Sequence, residues 1–164
     1  MAVLPILRYP DPRLRLPSRK VATFDARLAA LADDLAATMR AAPGIGITAA
    51  HVGVLERLTV IELGGPGTLR VYVNPQIEWF SPELQRHAEG SVSMPGVTEE
   101  VERPARIRLA YQDLGGAART EEADGLLAVC LQHEIDQLDG IFWIDRLSRL
   151  KRERVVKRYG KAKA

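Results

Sequence analysis

The chain has one cysteine, Cys130, in 164 residues. That excludes an intrachain disulfide framework and fits a reducing compartment, so a cytoplasmic location is expected. No apolar run approaches the ~20 residues that cross a bilayer. The opening MAVLPILRYPDPRLR, whose short apolar stretch is broken by Pro5, is not expected to be a secretory leader. Repeats and low-complexity linkers are absent, and no membrane partner is expected. Aromatic residues are sparse, at 5%. What is present is ordinary for a globular chain: 46% hydrophobic and 27% charged residues. The length suits a single domain over residues 1–164 with its own core.

Charge is unevenly placed. The net charge is +2, yet nine Lys/Arg fall between Arg146 and Ala164 against one acid, Glu153. That segment therefore carries +8 and the rest of the chain −6. A basic C-terminal helix is expected over about 147–164, with Leu150 and Val155 or Val156 as its packing stripe. Such a segment can approach phosphate-rich surfaces. With Tyr159 its only aromatic, a solvated helix face is favoured over direct nucleic-acid recognition.

Leu28, Leu31, Leu35 and Met39 recur at helical spacing behind Asp25, a suitable N-cap, which predicts a helix over about 25–40. Pro43 to Gly53 is glycine-punctuated and not expected to be helical. Strands are expected at 58–61, 69–73, 76–80, 97–101 and 107–111, with a turn at Pro95-Gly96. This β-rich middle favours an antiparallel or mixed sheet over βαβ winding. A further helix is predicted from a cap at Asp124 to a stop near Gly140. Its first half is apolar all round, predicting burial on several sides, and it then presents His133, Glu134 and Gln137.

Three segments carry chemistry. On a helix, positions i and i+4 share a face, so HExxH can hold a metal between two imidazoles while its Glu acts on bound water. Here His133-Glu134-Ile135-Asp136-Gln137 replaces the second imidazole with a carboxamide. Taken alone, that pattern is weak support for a metal. Gly44-Ile45-Gly46-Ile47-Thr48-Ala49-Ala50-His51 and Glu89-Gly90-Ser91-Val92-Ser93 precede it.

In this order and spacing, the three segments resemble the signature motifs of peptide deformylases, approximately GxGLAAxQ, EGCLS and HExDH. The flanks agree: Tyr9 to Leu14, Asp124 to Ala128 and Leu138 to Ser148 all look like that family. The resemblance implies an α+β fold, with antiparallel and mixed sheets around a buried central helix carrying HExxQ, plus the C-terminal helix. It implies a metal-dependent hydrolase that removes the formyl group from N-formylmethionyl peptides in bacteria. The implied metal is Fe(II) or Zn(II), held at the positions of Ser91, His133 and Gln137, with Glu134 as the general base. His51 and the Val92 backbone N–H occupy the positions that stabilise the oxyanion. Ile45, Gly46, His87, Val92 and Arg103 fall where peptide substrate would bind, His87 in the wall of the methionine pocket.

Two of the three implied ligands are substituted. Serine stays protonated near neutral pH and is a poor ligand for these metals, and Gln137 offers only a neutral amide. His51 replaces a glutamine but can still donate a hydrogen bond. The expectation is a deformylase-like protein with weak or absent deformylase activity that still binds peptide N-termini. Two alternatives are a rebuilt metal site from His51, His87 and His133, and a Ser91-dependent hydrolase with His51 or His133 as base. Cys130 is expected to be a small core residue, and Glu89 to order its loop through Arg103 or Arg106. The resemblance also implies that the basic helix approaches the ribosome.

Overall fold

A computed structural model describes residues 1–163. A 3-10 turn at Pro12–Arg15 comes first among the elements, its Arg13 N–H met by the Asp11 carboxylate. Helix α1 spans Ala26–Ala41. The Asp25 side chain accepts from Leu28 N–H at 3.0 Å, a cap worth about 1 kcal/mol. Leu28, Ala32, Leu35 and Met39 are its buried stripe, packed on the sheet. Strand β1 (Gly46–Thr48) leads into a 3-10 turn at Ala49–Val52. Then follow β2 (Leu58–Glu62), β3 (Leu69–Phe80), β4 (Leu84–Ser91), β5 (Met94–Pro104), β6 (Arg106–Gln112) and β7 (Ala118–Asp124). Helix α2 (Gly125–Leu138), a 3-10 turn (Trp143–Arg146) and α3 (Arg149–Lys163) complete the order.

The strands form a five-stranded sheet, β1-β2-β3-β6-β7, and a two-stranded ribbon, β4-β5. Each of these strand pairings is antiparallel, as expected for a β-rich α+β chain. The expected strands at 69–73 and 76–80 are one strand: β3 continues through Asn74, which takes φ 51°, with a register shift on its β6 side. The expected turn at Pro95-Gly96 is displaced. The chain reverses at Val92-Ser93, with Ser91 opposite Met94, and Pro95 lies inside β5. A two-stranded ribbon has only edge strands, so a residue without an N–H is tolerated there.

Helix α2 is the pivot, buried as expected except at its first turn. Leu126, in the apolar first half, is 39% exposed, whereas every residue from Ala128 to Leu138 is buried. Gln132, His133, Glu134, Asp136 and Gln137 are thus interior polar groups that need partners. Just past the helix end, the φ of +80° at Gly140 and the 2.7 Å approach of a would-be Cβ to the Arg15 carbonyl leave room only for glycine. On α3, Val155 and Tyr159 are buried against Leu14, Met94 and Trp143, with Val156 packed beside them. Leu150 is 58% exposed and does not join the stripe, because the helix starts at Arg149 and its first turn overhangs the core.

Candidate functional site

The inner half of α2, strand β1 and the β4–β5 turn enclose a groove of about 520 Å³. Ile45, Gly46, His87, Ser91, Val92, His133 and Glu134 line it, as the sequence places them. Leu126, Val129 and Cys130 supply its apolar wall. Gly46 passes close to the site: a Cβ would stand 3.3 Å from Glu134 Oε1 and crowd that carboxylate. Arg8, which no motif singles out, reaches the rim and donates to the Val92 carbonyl at 2.9 Å. The one signal for it is its position beside Tyr9, whose N–H donates to the Ser93 carbonyl.

His133 is held by a chain of charges. Its Nδ1 lies 2.8 Å from Glu89 Oε1. Arg103 donates to both Glu89 oxygens, at 2.6 and 2.9 Å, and to Asp136 at 2.9 Å. Arg146 then grips Asp136 through two bonds of 2.9 and 2.8 Å. Burial acts to raise the Glu89 pKa, but hydrogen bonds from His133 and Arg103 outweigh it and bring it down to about 2. An ionised Glu89 can only accept, so His133 carries its proton on Nδ1 and turns Nε2 to the groove. Burial lowers the His133 pKa and the Glu89 bond raises it, with a net upward shift. Glu89 therefore pairs with Arg103 as expected, whereas Arg106 pairs with Glu83. Arg103 itself is 4% exposed and does not line the groove, a correction to its expected contact with substrate. Its guanidinium is fully occupied between two carboxylates.

Glu134 is the opposite case. Its Oε2 is buried without a hydrogen-bond partner. Oε1 is 3.8 Å from His133 Nε2, and Oε2 is 3.9 Å from His51 Nδ1, both too long for hydrogen bonds. Burial pushes its pKa up to about 7. Cys130 is buried beside it, its thiol pushed up to about 12 by desolvation, which makes it an inert wall residue as expected.

Two expected site residues, His51 and Gln137, are placed differently, while His87 lines the groove from an exposed strand position. His51 is 1% exposed and lies off the groove wall. The 3-10 turn folds its ring back so that Nδ1 accepts from Thr48 N–H at 2.9 Å, which leaves the proton on Nε2, itself without a partner. Burial, with the charge of His133, lowers its pKa to about 3, so the ring is neutral. Gln137 turns away: its amide donates to the Leu14 carbonyl at 2.7 Å. His87 is exposed on β4, its Nδ1 2.9 Å from the Ala88 carbonyl.

These placements bear on the metal implied by the motifs. Ser91 Oγ accepts from Ser93 N–H at 3.0 Å, and the carboxamide of Gln137 is directed at the backbone. His133 alone of the three ligand positions presents a free donor to the groove. His51, His87 and His133 do not converge either, and among the described residues no group of three His, Cys, Asp or Glu is arranged to hold a metal. The residues present do not fit a resident Fe(II) or Zn(II). Ser91 makes no hydrogen bond to His51 or His133 among the described residues, so the expected nucleophile–base pair is also not assembled.

Comparison with known proteins places the fold and motifs together. The polypeptide deformylase family model matches residues 3–153. A protein of Brucella melitensis named peptide deformylase-like is 64% identical, with 98% of each chain covered. Agrobacterium fabrum supplies two relatives. One is named peptide deformylase-like (57% identical, 99% of each chain), and the other peptide deformylase (45% identical, 99% of this chain and 97% of that one). A crystal structure of a peptide deformylase from Legionella pneumophila superposes with a TM-score of 0.93 at 38% identity, over 99% of this chain and 96% of that one. The chain belongs to the peptide deformylase family of hydrolases.

Proposed function

We propose that this chain binds peptide N-termini in the groove and has little or no metal-dependent deformylase activity. One observation carries the reading. At the two substituted ligand positions the side chains are engaged with backbone, Ser91 with Ser93 N–H and Gln137 with the Leu14 carbonyl. A divalent ion would find one imidazole where three strong donors are needed. The groove itself persists: Ile45 precedes β1 and Gly46 begins it, the β4–β5 turn closes the far side, and Val92 lines it beside Ser91. His87 in the wall points to a first side chain more polar than methionine. The two relatives in Agrobacterium fabrum fit this division, since the chain is closer to the one named deformylase-like. The activity is tested by following hydrolysis of formyl-Met peptides with Fe(II) or Zn(II) supplied. The rate should stay near the protein-free background, and turnover in the usual enzyme range of about 1–10³ s⁻¹ would overturn the reading.

The basic helix favours a second element of this proposal, contact with the ribosome in the cytoplasm. Arg158 and Lys151 are anchored on Glu99, while Arg154, Lys157 and Lys161 line a shallow groove on the same face. Co-sedimentation with ribosomes should weaken on deletion of residues 149–164 and with rising salt. Unchanged co-sedimentation would remove this element.

A further inference from the structure

The charges around His133 do not cancel on the groove side. Glu89, Arg103, Asp136 and Arg146 alternate in sign and neutralise one another through short bonds. Glu134 is left over. It is 4% exposed, and among the described residues only the two imidazoles, at 3.8 and 3.9 Å, approach it as ion-pair partners. His51 Nδ1 is an acceptor for Thr48 N–H, and the His133 proton is committed to Glu89. Neither supplies a hydrogen bond to Glu134. Its Oε2, buried and unpartnered, is a strong acceptor in want of a donor.

The rest of the inner end is similar in kind. With its ring neutral, His133 offers the Nε2 lone pair, and Ser91 Oγ can accept once more and donate its own O–H. Two side-chain donors that could serve a carbonyl oxygen are elsewhere, which leaves the Ser91 O–H: the Gln137 amide is on Leu14, and the free Nε2–H of His51 lies off the groove wall. A formyl oxygen entering here would find the Ser91 hydroxyl and the Val92 backbone N–H, but it would leave the Glu134 carboxylate beside it without a donor. An ammonium would meet what its three N–H groups require, and its charge would balance Glu134.

Resting on the reading that the groove takes peptide N-termini without a resident metal, we propose that its inner end is a receptor for the free α-ammonium of a peptide. A formylated terminus is the disfavoured form. The protein thus reads chains whose N-terminus is unblocked, with Glu134 as the ion-pair partner and His133 Nε2 and Ser91 Oγ as further acceptors.

Isothermal titration with matched peptides tests this. Each sequence is prepared with a free, a formylated and an acetylated N-terminus, with Met, Thr or Gln as first residue to allow for the changed side-chain wall. The free-amine form of at least one sequence should bind about tenfold or more tighter than its blocked partners, as expected for a charge-assisted bond. Glu134→Gln should erase that preference while the thermal melt stays cooperative. Equal or tighter binding of the formylated form would overturn the inference, as would no binding of any free-amine peptide. A preference surviving in folded Glu134→Gln would also overturn it. If that variant did not fold, the matched wild-type peptides would still decide. Formylated peptide bound at least as tightly as the free amine, without hydrolysis, would sink the ammonium receptor alone. Formylated peptide hydrolysed at enzyme rates would sink the underlying reading as well.

Discussion

The two edges of the His133 ring face clusters built on opposite terms. On the Nδ1 edge, Glu89, Arg103, Asp136 and Arg146 form a buried chain in which the charges alternate and are hydrogen-bonded. On the Nε2 edge, Glu134 keeps an oxygen without a partner, and among the described residues no cationic group is hydrogen-bonded to it. The first cluster is complete and holds the ribbon β4–β5 to α2. The second is incomplete, and it opens on the groove. A satisfied buried network fixes structure, whereas an underpaired one marks where a ligand completes the set.

The largest expected effect comes from changing the incomplete side. Ser91→Cys/Gln137→His puts a thiolate and a second imidazole back beside His133. The double variant should bind Fe(II) or Zn(II) and hydrolyse formyl-Met peptides faster than the parent by orders of magnitude. A double variant that bound metal no better would mean that the changes at positions 91 and 137 are not what keeps this chain from binding the metal its motifs imply.

Breaking the complete side should cost stability instead. Arg103→Met leaves Glu89 and Asp136 facing each other without their shared cation, and about 3–5 kcal/mol should be lost in urea unfolding. The control is Arg106→Met, whose pair with Glu83 is on the surface and should contribute below about 1 kcal/mol. Equal losses in the two variants would deny the difference between them.

The two glutamates should also give opposite pH dependences. Glu89 is lowered from 4.5 to about 2, so its stabilisation is present above pH 4.5 and is lost as pH falls toward 2. Glu134 is raised from 4.5 to about 7, so the folded state binds the extra proton and stability falls as pH rises from 4.5 through 7. Glu89→Gln should flatten the acid limb of a melting-temperature profile, and Glu134→Gln the limb between pH 4.5 and 7. A Glu134→Gln profile parallel to the wild type over that window would show that this carboxylate is already compensated.

The motifs were legible because their spacing is local. Helix periodicity placed α1 and α2 within a residue or two, and His133, Glu134, Ser91, Val92, Ile45 and Gly46 meet in one groove as the resemblance implied. Strands β4 and β7 escaped notice because Leu84–Ser91 and Ala118–Asp124 are mostly polar, having little apolar alternation on an exposed ribbon or sheet edge. The orientations of His51, Gln137 and Arg103 were not legible. Each is set by a partner distant in sequence or by a local turn: Leu14 for Gln137, Glu89 and Asp136 for Arg103, and the Thr48 N–H for His51. Sequence spacing gives a side chain's position along an element, but not which buried donor or acceptor claims it.

The central claim is that the ligand positions of this family no longer form a metal site in this chain. Elemental analysis of protein purified without added metal or chelator tests it most directly. Iron and zinc far below one equivalent per chain, unchanged in His133→Ala, are predicted. A stoichiometric metal content that His133→Ala abolishes would contradict the account.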